Sequence, residues 1–314
     1  MLGFLFRRLI WAGVVLLAVG SITFALINIV PADPARAIVG VHASAETVAR
    51  IRETLGLNDP LPEQLVRYLA AAASLDLGHS YQLDQDVLPL IMSRLPASIQ
   101  LALAGLVIGL AIGVPLGVLA ALRAGSAADR GVALAASLML AAPSFLLGYL
   151  LLFLLAFQPK RQFGIDLFPN GGYEPFDLRY LALPALTLGI GLAAYYTRIV
   201  RTTMLDQLRS DYVRTARSKG LTERRITWRH VFPNAALPLL TQIGLDLGFL
   251  LGGIVIIEQV FSWPGVGRLA VQATVTSDVP LIMGTVLFAT LVIVLANLAV
   301  DVIYASLDPR LRNA

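Results

Sequence analysis

Six long apolar runs separated by polar stretches dominate the hydropathy pattern, over residues 9–30, 97–122, 131–157, 180–200, 235–260 and 280–306. A hydrocarbon core of about 30 Å takes roughly 20 helical residues to cross. The pattern therefore predicts an all-α polytopic membrane protein with six transmembrane helices. Arg7 and Arg8 precede the first run as they would a secretory signal, but its apolar part is too long for an ordinary signal and no small-x-small cleavage site follows. We read it as an uncleaved span.

Between the first two runs the chain is patterned rather than low in complexity. Ser44 can cap a helix in which Val48, Ile51 and Leu55 share a face, with Gly56 as its left-handed stop. NDPLPEQLVRYL restarts, with Pro62 suited to a first helical turn and Leu65 and Leu69 four apart. DVLPLIMSRLP predicts a third short amphipathic piece ahead of the second span. The expected organisation is an N-terminal transmembrane helix (1–30), a small helical outside region (31–96) and a five-helix core (97–314) whose loop 201–234 is the largest inside segment.

Composition agrees, with 57% hydrophobic and 14% charged residues and a mean hydropathy of +0.76. With the N-terminus inside, the inside segments hold fifteen Lys+Arg against five acids, and the outside segments nine against twelve. Basic residues are retained on the cytoplasmic side, so both termini and the 201–234 loop are expected there. The chain has no cysteine, which removes disulfides, thiolate metal sites and thiol nucleophiles.

Within the spans, small residues and acids carry the information. Gly105, Gly109, Gly113 and Gly117 recur four apart in the second run, and Gly244, Gly248 and Gly252 in the fifth. Such ridges let helix backbones approach where lipid supplies no hydrophobic drive. Asp246 lies about 17 Å into the fifth run, where an aspartate facing lipid costs on the order of 3 kcal/mol. It shares a side with Gln242, opposite Gly248, so a polar cavity or a hydrogen bond to a neighbouring helix must receive it. Glu258 and Asp301 lie near span ends, where water or a basic partner would suffice.

Catalytic motifs are missing. There is no GxxxxGK[ST] phosphate loop, no HExxH and no GxSxG. The expected topology separates His230 from His42 and His79, which excludes a three-histidine zinc site. A stand-alone secondary carrier or channel stays open, because intramembrane acids suit those as well.

Residues 211–238, DYVRTARSKGLTERRITWRHVFPNAALP, are too patterned for a plain connection. Residues 211–218 predict a short helix presenting Tyr212, Thr215 and Ala216. Gly220 allows a reversal, and Thr222 can cap a second helix from Glu223. Charge alone leaves open a basic loop that touches only anionic headgroups.

This stretch resembles the cytoplasmic EAA loop of ABC importer permeases, with the register falling on Arg214, Thr215 and Ala216, then Gly220, then His230 and Phe232-Pro233. Arg214 replaces the usual acid and His230 the usual apolar residue. Its wording, with VPADPARAIVG, LGLNDPLPEQ, RLPAS, LLGGIVIIEQVFSWPGVGRL and DVIYASLDPR elsewhere, resembles the dipeptide/oligopeptide/nickel permease family, and within it the member of the permease pair with a long first outside loop. The resemblance implies a type I ABC importer transmembrane domain, non-catalytic, in a bacterial inner membrane. Its implied partners are a second homologous permease, two ATPase subunits that bind ATP and Mg, an extracytoplasmic binding protein and membrane lipid. No cofactor or metal in this chain and no nucleic acid are implied. Tyr212, Val213, Arg214, Thr215, Ala216, Lys219, Gly220 and Leu221 become the candidate coupling residues. Gln242, Asp246 and Glu258 become candidates for the translocation path. Peptides are the implied substrate, with nickel or a nickel chelate as the alternative.

Overall fold

A computed structural model describes residues 2–29, 35, 44–54, 56–252 and 254–307. Most of VPADPARAIVG, together with His42, Leu55 and the end of DVIYASLDPR, falls outside the described residues. The chain divides into two compact units, one of residues 1–98, 251–255 and 264–314 and one of residues 99–250 and 256–263. Among the described residues four helices are long and apolar enough to cross a membrane, and a strongly bent pair makes a fifth if it is one span.

In the first unit α1 (Leu2–Ile29) packs along α14 (Val279–Leu307). Helix α2 (Ala45–Thr54) starts as predicted, the Thr47 N–H donating to Ser44 Oγ at 3.2 Å. It stops at Gly56, whose φ of +62° lets the Leu57 N–H reach back to the Arg52 carbonyl. Helix α3 (Leu61–Ala73) carries Pro62 in its first turn. Tyr68 on α3 stacks on Phe24, with ring centroids 6.2 Å apart. Its buried hydroxyl finds no hydrogen-bond partner among the described residues, and burial pushes the phenol up to about 12.

A two-residue hairpin, β1 (His79–Ser80) against β2 (Gln85–Asp86), follows. His79 Nδ1 lies 2.9 Å from Asp86 Oδ1, and that carboxylate holds the imidazole above its ordinary range. The Ser80 hydroxyl donates to buried Asp278, whose other oxygen caps α14 at the Leu281 N–H. The separate third piece expected before the second span does not occur, because α4 (Val87–Leu122) is one helix of 36 residues. Its first turns are held in line by burial of Val87, Leu90 and Ile91 against Val266, Leu269, Ala273 and Leu281. That packing carries the helix past Pro96.

In the second unit the glycine ridge of α4 lies against α8 (Leu178–Leu208). A Cβ at Gly109 would sit 2.7 Å from Leu192 Cβ, at Gly113 2.7 Å from the Ala193 carbonyl oxygen, and at Gly117 2.7 Å from Val200 Cβ. The Thr197 hydroxyl bridges the pair, 3.2 Å from the Gly113 carbonyl.

The run at 131–157 is not a straight span. Helix α5 (Ala127–Ala141) and the helical stretch Ser144–Phe163 meet at 101°. Pro143 causes the break, since it forces the preceding residue out of helical backbone and Ala142 lies at φ −75°, ψ 128°. The stretch consists of α6 (Ser144–Leu151), a π-helical segment (Leu152–Phe157) and α7 (Gln158–Phe163). The expected single span at 235–260 is also divided, with α11 (Phe232–Gly252) ending at Gly252 before α12 (Val255–Val260). The remaining helix, α13 (Val266–Val275), belongs to the first unit.

The ridge makes a testable difference between glycines. Gly113→Leu meets backbone and should lower stability by about 1–3 kcal/mol or more. Gly131→Ala, in α5 with open space around it, should be neutral or stabilise by up to about 1 kcal/mol. Thermal unfolding of the purified protein in detergent distinguishes them, and equal midpoints would contradict the packing.

Candidate functional site

Helix α8 ends at Leu208, and after two residues the chain turns into α9 (Asp211–Ser218). Val213 and Ala216 are buried, at 0% and 7% exposure, in a core with Val200, Met204, Ile226, Val231 and Ala235. Tyr212, Arg214, Thr215 and Arg217 face outward. The expectation that Ala216 is presented outward with Tyr212 and Thr215 is therefore corrected. A helix this short turns its apolar stripe to whatever core covers it, and here that stripe is Val213 and Ala216.

The reversal is a closed helix-terminal motif. The Gly220 N–H donates to the Arg217 carbonyl at 2.9 Å and the Leu221 N–H to the Ala216 carbonyl at 3.3 Å, a Schellman pair that needs the left-handed residue between them. Gly220 supplies it at φ +76°, with nothing within 4 Å of a would-be Cβ. Lys219 occupies the exposed position just before it, and half-buried Leu221 packs on the core next to Ala216.

Across this turn Arg217 grips Glu223 with two hydrogen bonds, Nε to Oε1 at 2.7 Å and Nη2 to Oε2 at 3.2 Å. The pairing holds the Glu223 carboxyl below its usual range and the guanidinium above its own. Sequence reasoning missed this pair by treating the arginines as one basic set. The available signal was opposite charge flanking a glycine reversal. Thr222 does occupy the start of α10 (Glu223–Ile226), but its hydroxyl makes no capping bond, so that expectation is also corrected.

Tyr212 is a brace as well as a surface residue. Its hydroxyl lies 2.8 Å from Gln207 Oε1 and 3.3 Å from the His230 carbonyl, which also accepts from Asn234 Nδ2 at 2.8 Å. Pro233 does not end the helix. A π-helical turn (Thr227–Val231) joins α10 to α11, widening the spiral ahead of a residue that has no N–H to give.

The carboxylates separate into two cases. Asp246 on α11 is half-buried and fully engaged, with Tyr196 of α8 donating to Oδ2 and Gln242 to Oδ1, each at 2.8 Å. Of the two destinations open to it, the structure supplies the neighbouring helix. Glu258 does not face water, being 0% exposed. It begins a turn closed by the Trp263 N–H on its carbonyl at 2.8 Å. Loop 171–173 covers that turn, the Gly172 N–H donating to the Phe261 carbonyl and Tyr173 standing edge-on to Trp263. The Asp301 side chain lies outside the described residues.

Residues 113–313 match the family described as binding-protein-dependent transport system inner membrane component, and residues 1–102 match its N-terminal counterpart. A protein of Brucella abortus (strain 2308) named as a peptide transport system permease is 41% identical over 99% of each chain. The glutathione transport system permease protein GsiC of Salmonella paratyphi A is 36% identical over 99% of each. Among solved structures, an inward-facing form of the MetNI methionine ABC transporter superposes with a TM-score of 0.55 over 70% of this chain and 96% of that one, at 19% identity, a likeness of fold. The chain belongs to the family of binding-protein-dependent transport system inner membrane components, and is a non-catalytic permease subunit of an ABC importer that works with the other components of such a transporter.

Proposed function

We propose that this permease forms half of a translocation path for peptides, delivered by an extracytoplasmic binding protein and shared with a second, homologous permease. The names of the relatives support the peptide class. In this reading two ATPase subunits supply the ATP hydrolysis, and the knuckle from Asp211 to Leu221 docks on one of them. The observation that carries it is the construction of that knuckle. A Schellman closure, the Arg217–Glu223 grip and an inward apolar stripe make it a rigid body that can transmit displacement. The charge bias of the loops supports placing the knuckle and both termini in the cytoplasm.

Tyr212, Arg214, Thr215 and Lys219 are then the docking face, while Val213, Ala216, Gly220 and Leu221 hold its shape. Gly220→Val should leave the complex assembled and cut uptake and substrate-stimulated ATP hydrolysis together, because αL backbone costs a side chain about 1 kcal/mol and a branched one more. Arg224 and Arg225 are exposed, and their substitution by Gln should do much less. Ala216→Asp should reduce the amount of folded protein, since it buries a charge. Reconstituted uptake with parallel ATPase assays checks all three. Full coupling in Gly220→Val with loss in the arginine variants would replace the knuckle by a lipid-facing basic loop. Glu223 titrates low, so its grip is present above the ordinary carboxylate range and is lost only as pH falls through the depressed value. Coupling should therefore hold steady across neutral pH.

The path follows the side of α11 that bears Gln242 and Asp246, while Glu258 is fully buried beside the turn that its backbone carbonyl closes. The chain has no native cysteine, so Asp246→Cys should react with a small aqueous thiol reagent in at least one nucleotide state. Protection in every state would make Asp246 a purely structural partner of Tyr196.

A further inference from the structure

We propose that the ion pair between Arg201 and Asp129 is the positioning joint through which the knuckle-bearing helix α8 moves α5 and the bent segment beyond it; the inference rests on the knuckle reading above. The pair is built with unusual completeness. Arg201 Nε donates to Asp129 Oδ1 at 2.6 Å and Nη2 to Oδ2 at 2.9 Å, and Oδ2 also accepts the Gly125 N–H at 2.8 Å. The Asp129 N–H donates to the capping hydroxyl of Ser126 at 3.2 Å. The Asp129 side chain is 5% exposed and that of Arg201 32%. A two-toothed arginine contact fixes orientation as well as distance.

The pair sits within a packed contact, since α5 runs against α8 with Asp129 and Ala136 as its buried residues, and it is the directional element of that contact, placed at the first turn of α5. At its other end lies the 101° bend at Pro143. Arg201 sits about 10 Å along the α8 axis from Leu208, after which the knuckle begins. A displacement of the knuckle carried by α8 therefore reaches α5 through their packed contact, with its direction set by this pair, and α5 can follow because its far end is already broken from the next helix. An ion pair suits that role, since it keeps direction while the side chains around it slide, whereas an apolar contact keeps only proximity.

The test uses the assembled importer purified from membranes and placed in nanodiscs. Asp129→Asn, Arg201→Gln, their combination and Arg201→Lys are scored for complex recovered, basal ATP hydrolysis and substrate uptake per ATP hydrolysed. Each single change and the combination should lower uptake per ATP by the same factor, roughly tenfold, because the two side chains act as a unit. Arg201→Lys should recover part of it. Restoration to the wild-type ratio in the double variant would overturn the joint, leaving only the penalty of an unpaired buried charge. So would losses that merely track the amount of complex recovered. If the single variants do not assemble, Asp129→Cys with Arg201→Cys bridged by a thiol-cleavable spacer should transport when bridged and uncouple when cleaved, and indifference to cleavage would overturn the proposal. Gly220→Val runs alongside. Its uncoupling next to wild-type behaviour of the pair variants sinks the joint alone, and the reverse pattern sinks the knuckle reading and, with it, the joint's part in carrying the knuckle's displacement.

Discussion

Inside a bilayer, apolar side chains gain nothing by leaving one hydrocarbon environment for another, so helices hold together only where their backbones come close enough to pack densely. In the second unit that condition is met along the glycine face of α4 against α8. Substituents at Gly109, Gly113 and Gly117 would fall within 3 Å of α8 atoms. Thr197 converts the contact into a hydrogen bond on the Gly113 carbonyl. Helix α8 is thereby seated, and three further features hang from it: Tyr196 reaching Asp246, Arg201 reaching Asp129, and the knuckle at its end.

Proline bends this unit at one place and is accommodated at others, Pro184 and Pro238 lying inside regular helix. At Pro143 the preceding residue leaves helical backbone and the chain turns through 101°. At Pro159 and Pro233 the helix continues, each time with a π-helical segment just upstream, Leu152–Phe157 and Thr227–Val231. A π turn relieves the missing donor and the ring clash without interrupting the rod. For the knuckle this matters mechanically. Helix α10 stays continuous with α11, so the second arm of the reversal is anchored in a long helix just as the first follows from α8.

Features legible in the sequence were those whose cause is local or periodic. Ser44 capping α2, Gly56 and Gly220 at φ +62° and +76°, and the four-residue glycine spacing each state their reason within a few residues. Apolar continuity over 131–157 and 235–260 hides the breaks that fall at Pro143 and after Gly252. The face presented by α9 could not be read from eight residues, since it is chosen by a core assembled from α4, α8 and α11. The long-range polar contacts were beyond reach for a simpler reason. Asp129 and Arg201 are 72 residues apart, and Tyr196 and Asp246 are 50 apart, with no pattern between them that marks a partner.

Those two contacts bear on how α8 could serve a transporter. Tyr196 and Arg201 are five residues apart, which at 100° per residue sets them about 140° apart around the helix. One therefore ties α8 to α11 and the other ties it to α5, from well-separated faces. They differ in kind. The first is a hydrogen bond to a carboxylate also held by Gln242, inside a span where any polar group left unpaired is costly. The second is a bidentate ion pair at the end where the helix begins, with an arginine still one-third exposed. A helix clamped by glycine packing along one line and by directional polar contacts on two others has little freedom to slide against its neighbours. On the proposed coupling reading, displacement at its knuckle end is shared with α4, α5 and α11 together, which is what a rigid coupling element requires of the helix that carries it.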